Sequence, residues 1–274
     1  MTVILDDGER VADLPSDPAT AARVVRIDGY ADLRGYAHPL PALRRIDGWA
    51  ILRDYAHALP DGLIVGGALD LSGCTALTAL PDGLTVRGWL DLSGCTGLTA
   101  LPDDLTVGDW LDLSGCTALT TLPPGLIVGG WLDLSGCTGL TALPAALSVG
   151  GSLYLRGCTG LTALPDGLSV GASIDLRGCT GLTALPAALS VGGSLYLSGC
   201  TGLDHYCVGR DARGYAFYGI PMRDGPHVVA GCRNFTGAQA LAHWGPGGES
   251  DRPDCLALAK QAIVLIERSK EVWT

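Results

Sequence analysis

The chain has 274 residues, a net charge of −10 and a pI near 4.8, so its surface repels phosphate backbones and nucleic acid is excluded as the expected partner. No run approaches 18 apolar residues, which excludes a membrane-spanning helix. Glycine (40) and proline (16) are abundant, yet they recur at fixed columns and therefore mark turns rather than disorder.

In chain order, the opening MTVILDDGERVADLP carries neither a basic n-region nor an apolar h-region, so it does not read as a secretory signal. Ten cysteines without an export signal point to free thiols in a reducing compartment, and the expected location is cytoplasmic. Residues before about Ala22 are expected to cover the first coil of a repeat array. Two worn repeats come next: IDGYADL from Ile27 and IDGWAIL from Ile46 match VGGALDL from Val65, each 19 residues apart. The dipeptide AH in YAHPLP and YAHALP falls close to where later copies carry CT. Residues 1–58 thus form an N-terminal cover with two degenerate repeats.

From 59 to 203 the chain repeats almost letter for letter. Cys74, Cys95, Cys116, Cys137, Cys158, Cys179 and Cys200 succeed one another at 21-residue intervals. One copy reads LPAALSVGGSLYLRGCTGLTALP, from Leu143 to Pro165. In GWLDLSGC, Leu90 and Leu92 alternate with Trp89, Asp91 and Ser93, a period-2 strand with one apolar face. Leu98, Leu101, Leu105 and Val107 complete an interior that one copy cannot bury alone, so each coil needs its neighbours. A fixed period of this length predicts a solenoid of about nine coils, whose stacked strands form a parallel sheet.

Residues 204–274 leave the repeat. RGYAFYGIPMRDGPHVVAGCR reads as two short strands around an Asp224-Gly225 turn. NFTGAQALAHW starts a helix with Asn234 or Thr236 as its N-cap. The last segment is an amphipathic helix introduced by Asp251 and Pro253, with Leu256, Ala259, Ile263 and Ile266 on one face. A hairpin plus helices makes a sensible C-terminal cap.

The L-x-L-x-x-C motif, standing as Leu90, Leu92 and Cys95 and again in six further copies, resembles the leucine-rich repeat family over roughly Pro60 to Leu203. LTALP looks like the short convex segment of the bacterial members. The resemblance implies an α/β solenoid with a parallel sheet on one face and a protein-binding role. AGCRNFTGAQALAHW resembles tails on uncharacterised bacterial and phage leucine-rich repeat proteins, and brings no activity with it. One departure is VGG or VRG ahead of the strand, where the family places another leucine; this bears on the coil cross-section.

The repeats differ from one another mainly on the outward strand positions. One column reads Ala68, Trp89, Trp110, Trp131, Ser152, Ser173, Ser194; the next reads Asp70, Asp91, Asp112, Asp133, Tyr154, Asp175, Tyr196. The third is serine except for Arg156 and Arg177. A tryptophan stripe beside stacked carboxylates suits a cationic, partly apolar ligand through cation–π contacts and carboxylate pairing. The expected site is therefore Trp89, Asp91, Trp110, Asp112, Trp131, Asp133, Tyr154, Arg156, Asp175, Arg177 and Tyr196, and the expected partner a protein or peptide, with a basic one favoured by the charge. The bland alternative is that tryptophans stack on one another and duplicated coils copied their aspartates.

Other chemistry has weaker sequence support. The cysteine column runs along a line, whereas metal ligands converge on a point, so packing explains it best. The threonines after each cysteine suit turn hydroxyls better than an ice-binding strand. His205, Cys207, His227, Cys232, His243 and Cys255 match no zinc spacing, although a metal- or thiol-active tail stands as an alternative function, as does a purely structural solenoid. Catalysis needs a unique convergent constellation, and repeats supply the opposite. The reading is a non-enzymatic interaction scaffold without cofactor.

Overall fold

The computed structural model describes residues 1–55, 57–186, 189–203, 206–210, 216–222, 225–230, 233–248 and 252–270. Its body is a parallel β-solenoid with a 21-residue step: Leu69 pairs with Leu90, Leu90 with Leu111, and so on to Leu195. Among the described residues this sheet has nine strands, hence about eight full turns between its first and last strand, close to the nine coils the period predicts.

The expectation of one parallel sheet covers only part of the cross-section. A second sheet of eleven strands runs beside the first, built from Ile64–Val65, Thr85–Val86, Thr106–Val107 and their successors. The VGG and VRG segments explain it. After Val86 the chain turns a corner at Gly88 and starts the next strand at Leu90, and a Cβ on Gly88 would lie 2.9 Å from the carbonyl carbon of Gly67 in the coil below. The corners stack backbone on backbone, Gly88 N–H donating to Gly67 O at 2.9 Å and Asp109 N–H to Gly88 O at 3.2 Å, so where a leucine is expected at Arg87 the chain instead bends between two sheets. A third side is held by single ladder bonds, such as Thr99 N–H to Thr78 O at 3.2 Å and Thr183 N–H to Thr162 O at 3.2 Å.

Inside, Leu90, Leu92, Cys95 and Leu98 and their copies are buried in one continuous cluster that runs the length of the solenoid. At the N-terminus, Thr2–Leu5 pairs antiparallel with Val24–Asp28 and with Arg10–Val11. A four-residue helix, α1 (Pro18–Ala21), comes after Asp17, whose side chain accepts from the Thr20 N–H. Thr2–Leu5 and Arg10–Val11 are the last strands of the eleven-stranded sheet at its N-terminal end.

The register makes the alignment of the worn repeats exact to the residue. Ile46 pairs with Val65, so nine residues on, Tyr55 stands where Cys74 stands. Tyr36 and Tyr55 fill the cysteine column, and their hydroxyls donate to Pro15 O at 2.7 Å and His38 O at 3.2 Å.

The C-terminal segment holds twice the strands expected. Among the described residues four antiparallel strands, Tyr206–Arg210, Ala216–Met222, Gly225–Ala230 and Arg233–Thr236, precede α2 (Gly237–Trp244) and α3 (Pro253–Lys270). Met222 pairs with Gly225, as the expected hairpin requires; Asp224 and Asp251 lie outside the described residues. Thr236 is the N-cap, in a capping box with Gln239. Val229 belongs to the solenoid cluster, whereas its neighbour Val228 packs with Ala240, Trp244, Cys255, Ala259 and Ala262 from the two helices. Alternate residues of one strand thus face the solenoid and the helices.

Candidate interaction surface

Each coil aims its outward side chains by anchoring the inward ones. Leu90 and Leu92 are fully buried, so Trp89, Asp91 and Ser93 between them must point out. Parallel pairing then stacks like on like, Asp91 against Asp70 and Asp112.

The indoles of Trp89, Trp110 and Trp131 are half-buried and lie nearly parallel: ring centroids are 4.6 and 4.5 Å apart with interplanar angles of 3° and 8°. Both faces of Trp110 are therefore covered by its neighbours, and what the row offers to a ligand is ring edges. This removes the expected cation–π contact at Trp110, because such contacts need an open ring face. Tyr154 closes one end, edge-on to Trp131 at 6.3 Å.

The row is longer than the sequence pattern of the regular coils implies. Trp49, 59% exposed, reaches over Ala68 to meet Trp89 at 6.3 Å, and exposed Tyr30 stands one coil before. The signal was present in IDGWAIL, where Trp49 aligns with the tryptophan column.

Every aspartate of the next column has a local job. Asp91 accepts the Ser93 N–H at 2.8 Å, Asp112 that of Ser114 at 2.8 Å, and Asp133 that of Ser135 at 2.7 Å. These Asx-type turns satisfy the backbone as the strand ends, and they occupy one carboxylate oxygen each. The column divides by charge compensation. Asp70 is bridged by Arg53 at 2.7 Å and Asp175 by its near neighbour Arg177, while Asp91, Asp112 and Asp133 form no salt bridge among the described residues, Arg53 reaching Asp91 only through its longer-range charge. Three carboxylates without a salt bridge thus flank the three stacked indoles, with the bridged Asp70 on one side and Tyr154 on the other. In the last coils Arg177 also lies over the Tyr196 ring at 5.4 Å, and Arg156 is exposed.

Burial pushes the Asp70 carboxyl up, but hydrogen bonds from Arg53 and Ser72 outweigh it and leave the group below its ordinary value. A depressed folded pKa contributes stability that is present above the unfolded value of about 4 and is lost as pH falls through the folded one. Asp70→Asn is therefore expected to lower the unfolding free energy from urea titration at neutral pH by about 1 kcal/mol, and the gap from wild type should close in acid. A gap unchanged at pH of about 2 would show that the pair contributes nothing through its charge.

The cysteine column is internal wiring. Each thiol donates to a carbonyl of the preceding coil: Cys95 to Leu71 at 3.2 Å, Cys137 to Leu113 at 3.1 Å, Cys200 to Leu176 at 2.8 Å. Burial pushes Cys116, Cys158 and Cys179 up to about 12, so these thiols are poor nucleophiles. Among the described residues no three His, Cys, Asp or Glu side chains gather in a way that could hold a metal ion. Of the tail residues, His227 and Cys255 are buried and His243 stacks on Phe235 at 4.9 Å; His205, Cys232 and the side chain of Cys207 lie outside the described residues.

No family model, curated protein or solved structure matches this chain. No helix among the described residues is long and apolar enough to cross a membrane.

Proposed function

We propose that this solenoid is a cytoplasmic, non-enzymatic interaction scaffold of the leucine-rich repeat kind, with the C-terminal sheet and helices as its cap. Its partner is a basic, partly apolar protein or peptide. The observation that carries the reading is the coincidence of Trp89, Trp110 and Trp131 with Asp91, Asp112 and Asp133, which form no salt bridge among the described residues. Stacked strands hold neighbouring carboxylates about 4.8 Å apart, where like charges repel by roughly 1 kcal/mol per pair even in water. A cationic partner relieves that repulsion, and aromatic edges supply the apolar contact that dominates interface energy. The family assignment rests on the buried Leu90, Leu92 and Cys95 columns, and the cytoplasmic location on the free, buried thiols, which suit a reducing compartment.

Selection of a random peptide library on the protein tests this. Basic peptides carrying aromatic or aliphatic side chains should be enriched, and their binding should weaken as salt is raised. Enrichment of acidic peptides, or binding indifferent to salt, would overturn the reading.

A further inference from the structure

The two worn coils are 19 residues long and the coils after them 21. The shortening falls between Tyr55 and Ile64, on the third side, so the earlier coil fails to cover the later one there. An open groove of about 550 Å³ results, lined by Asp54, Tyr55, His57, Cys74, Leu77 and Leu80 among others. Cys74 is 7% exposed at this groove, whereas Cys95, Cys116, Cys137, Cys158, Cys179 and Cys200 are all at 0%. Cys95 stands one coil on, in register: a Cβ on the preceding Gly94 would lie 3.8 Å from the Gly73 Cα. Neighbouring strands about 4.8 Å apart bring Cα atoms within the span a disulfide bridges.

We propose that Cys74 is an oxidation site, in which a peroxide admitted by the groove oxidises Cys74 and the neighbouring Cys95 resolves it as a disulfide. The Cys74 thiolate attacks one peroxide oxygen, the O–O bond breaks, and the departing hydroxide takes up a proton to leave as water, giving a sulfenic acid. The Cys95 thiol then attacks the Cys74 sulfur; the S–O bond breaks and the hydroxyl leaves as water with the Cys95 proton. Two thiols and one hydrogen peroxide become one disulfide and two waters.

Cys74 and Cys95 are successive members of the cysteine column, and each donates its S–H to the coil before, Cys74 to Leu52 O at 3.3 Å and Cys95 to Leu71 O at 3.2 Å. The groove reaches Cys74 and leaves the other six thiols of the column at 0% exposure, so Cys74 is the one that a base and a peroxide can meet, and the thiolate is the reactive form. Such a step rests on the coil-length mismatch and is independent of what the tryptophan face binds.

Peptide mapping after timed iodoacetamide treatment should find Cys74 alkylated on the order of a hundredfold faster than Cys116, Cys137 or Cys158 in the native protein, with the difference vanishing in denaturant. Hydrogen peroxide should produce a peptide pair cross-linked between Cys74 and Cys95 and two hydrogens lighter than the free thiols. In Cys95→Ser, the reaction should stop at a sulfenic acid on Cys74 that dimedone traps. Equal native labelling of Cys74 and Cys116, cross-linking of Cys95 to Cys116 at the same rate, or both thiols free after peroxide would each overturn the assignment.

Discussion

Removal of residues 204–274 is expected to turn a monodisperse protein into an aggregating one. Val229 belongs to the same buried cluster as Leu195, Leu197 and Leu203 of the last coil, and the truncation bares that end of the core. Each large apolar side chain exposed costs about 1.5–3 kcal/mol, and several stand there. Beyond the core, Ser190–Val191 and Leu195–Tyr196 are the terminal strands of the two parallel sheets. Unprotected strand edges invite pairing with another copy, and solenoids need a polar end for that reason. Size-exclusion chromatography and thermal melting of residues 1–203 against the full chain make the check. A truncated chain that stays monomeric with an unchanged melting temperature would mean the tail is a separate module and caps nothing.

Replacing Trp89, Trp110 and Trp131 together with serine should abolish partner binding while leaving the fold. Serine already occupies this column at Ser152, Ser173 and Ser194, whose strands pair as regularly as the others, so the backbone has no need of the indoles. The stack itself contributes: with about 0.5–1.5 kcal/mol for each aromatic pair, a modest fall in the denaturant midpoint is expected. Binding of the selected basic peptides should fall by at least about 2 kcal/mol, roughly thirtyfold, as for loss of aromatic anchors at an interface. Circular dichroism separates the two effects. If the triple variant unfolds, the indoles hold the solenoid together and the scaffold reading loses its support; if it folds and binds the peptides as before, the surface lies elsewhere.

The solenoid was legible because its causes are local and repeated. Leu90 and Leu92 alternate with outward residues, Gly94 turns with φ of 71°, Cys95 drops inward, and 21 residues later the pattern recurs, so strand direction, register and core all derive from one coil. Thr236 as a helix cap and the Met222–Gly225 hairpin were legible for the same reason, since a turn or a cap is decided within four residues.

What the tertiary structure alone decided is how neighbouring coils meet. That the VGG and VRG segments fold into a corner beside their own sheet depends on backbone bonds between coils, such as Gly88 N–H to Gly67 O at 2.9 Å, between residues 21 apart. The aspartate column looks uniform in sequence, yet Arg53 bridges Asp70 from the coil before while Asp91, Asp112 and Asp133 form no salt bridge among the described residues. The groove at Cys74 exists only because a shorter coil stacks under a longer one. A single coil's letters specify its own turns and which side chains point in; spacing, stacking and charge compensation between coils are properties of pairs, and they emerge only when the chain has closed on itself.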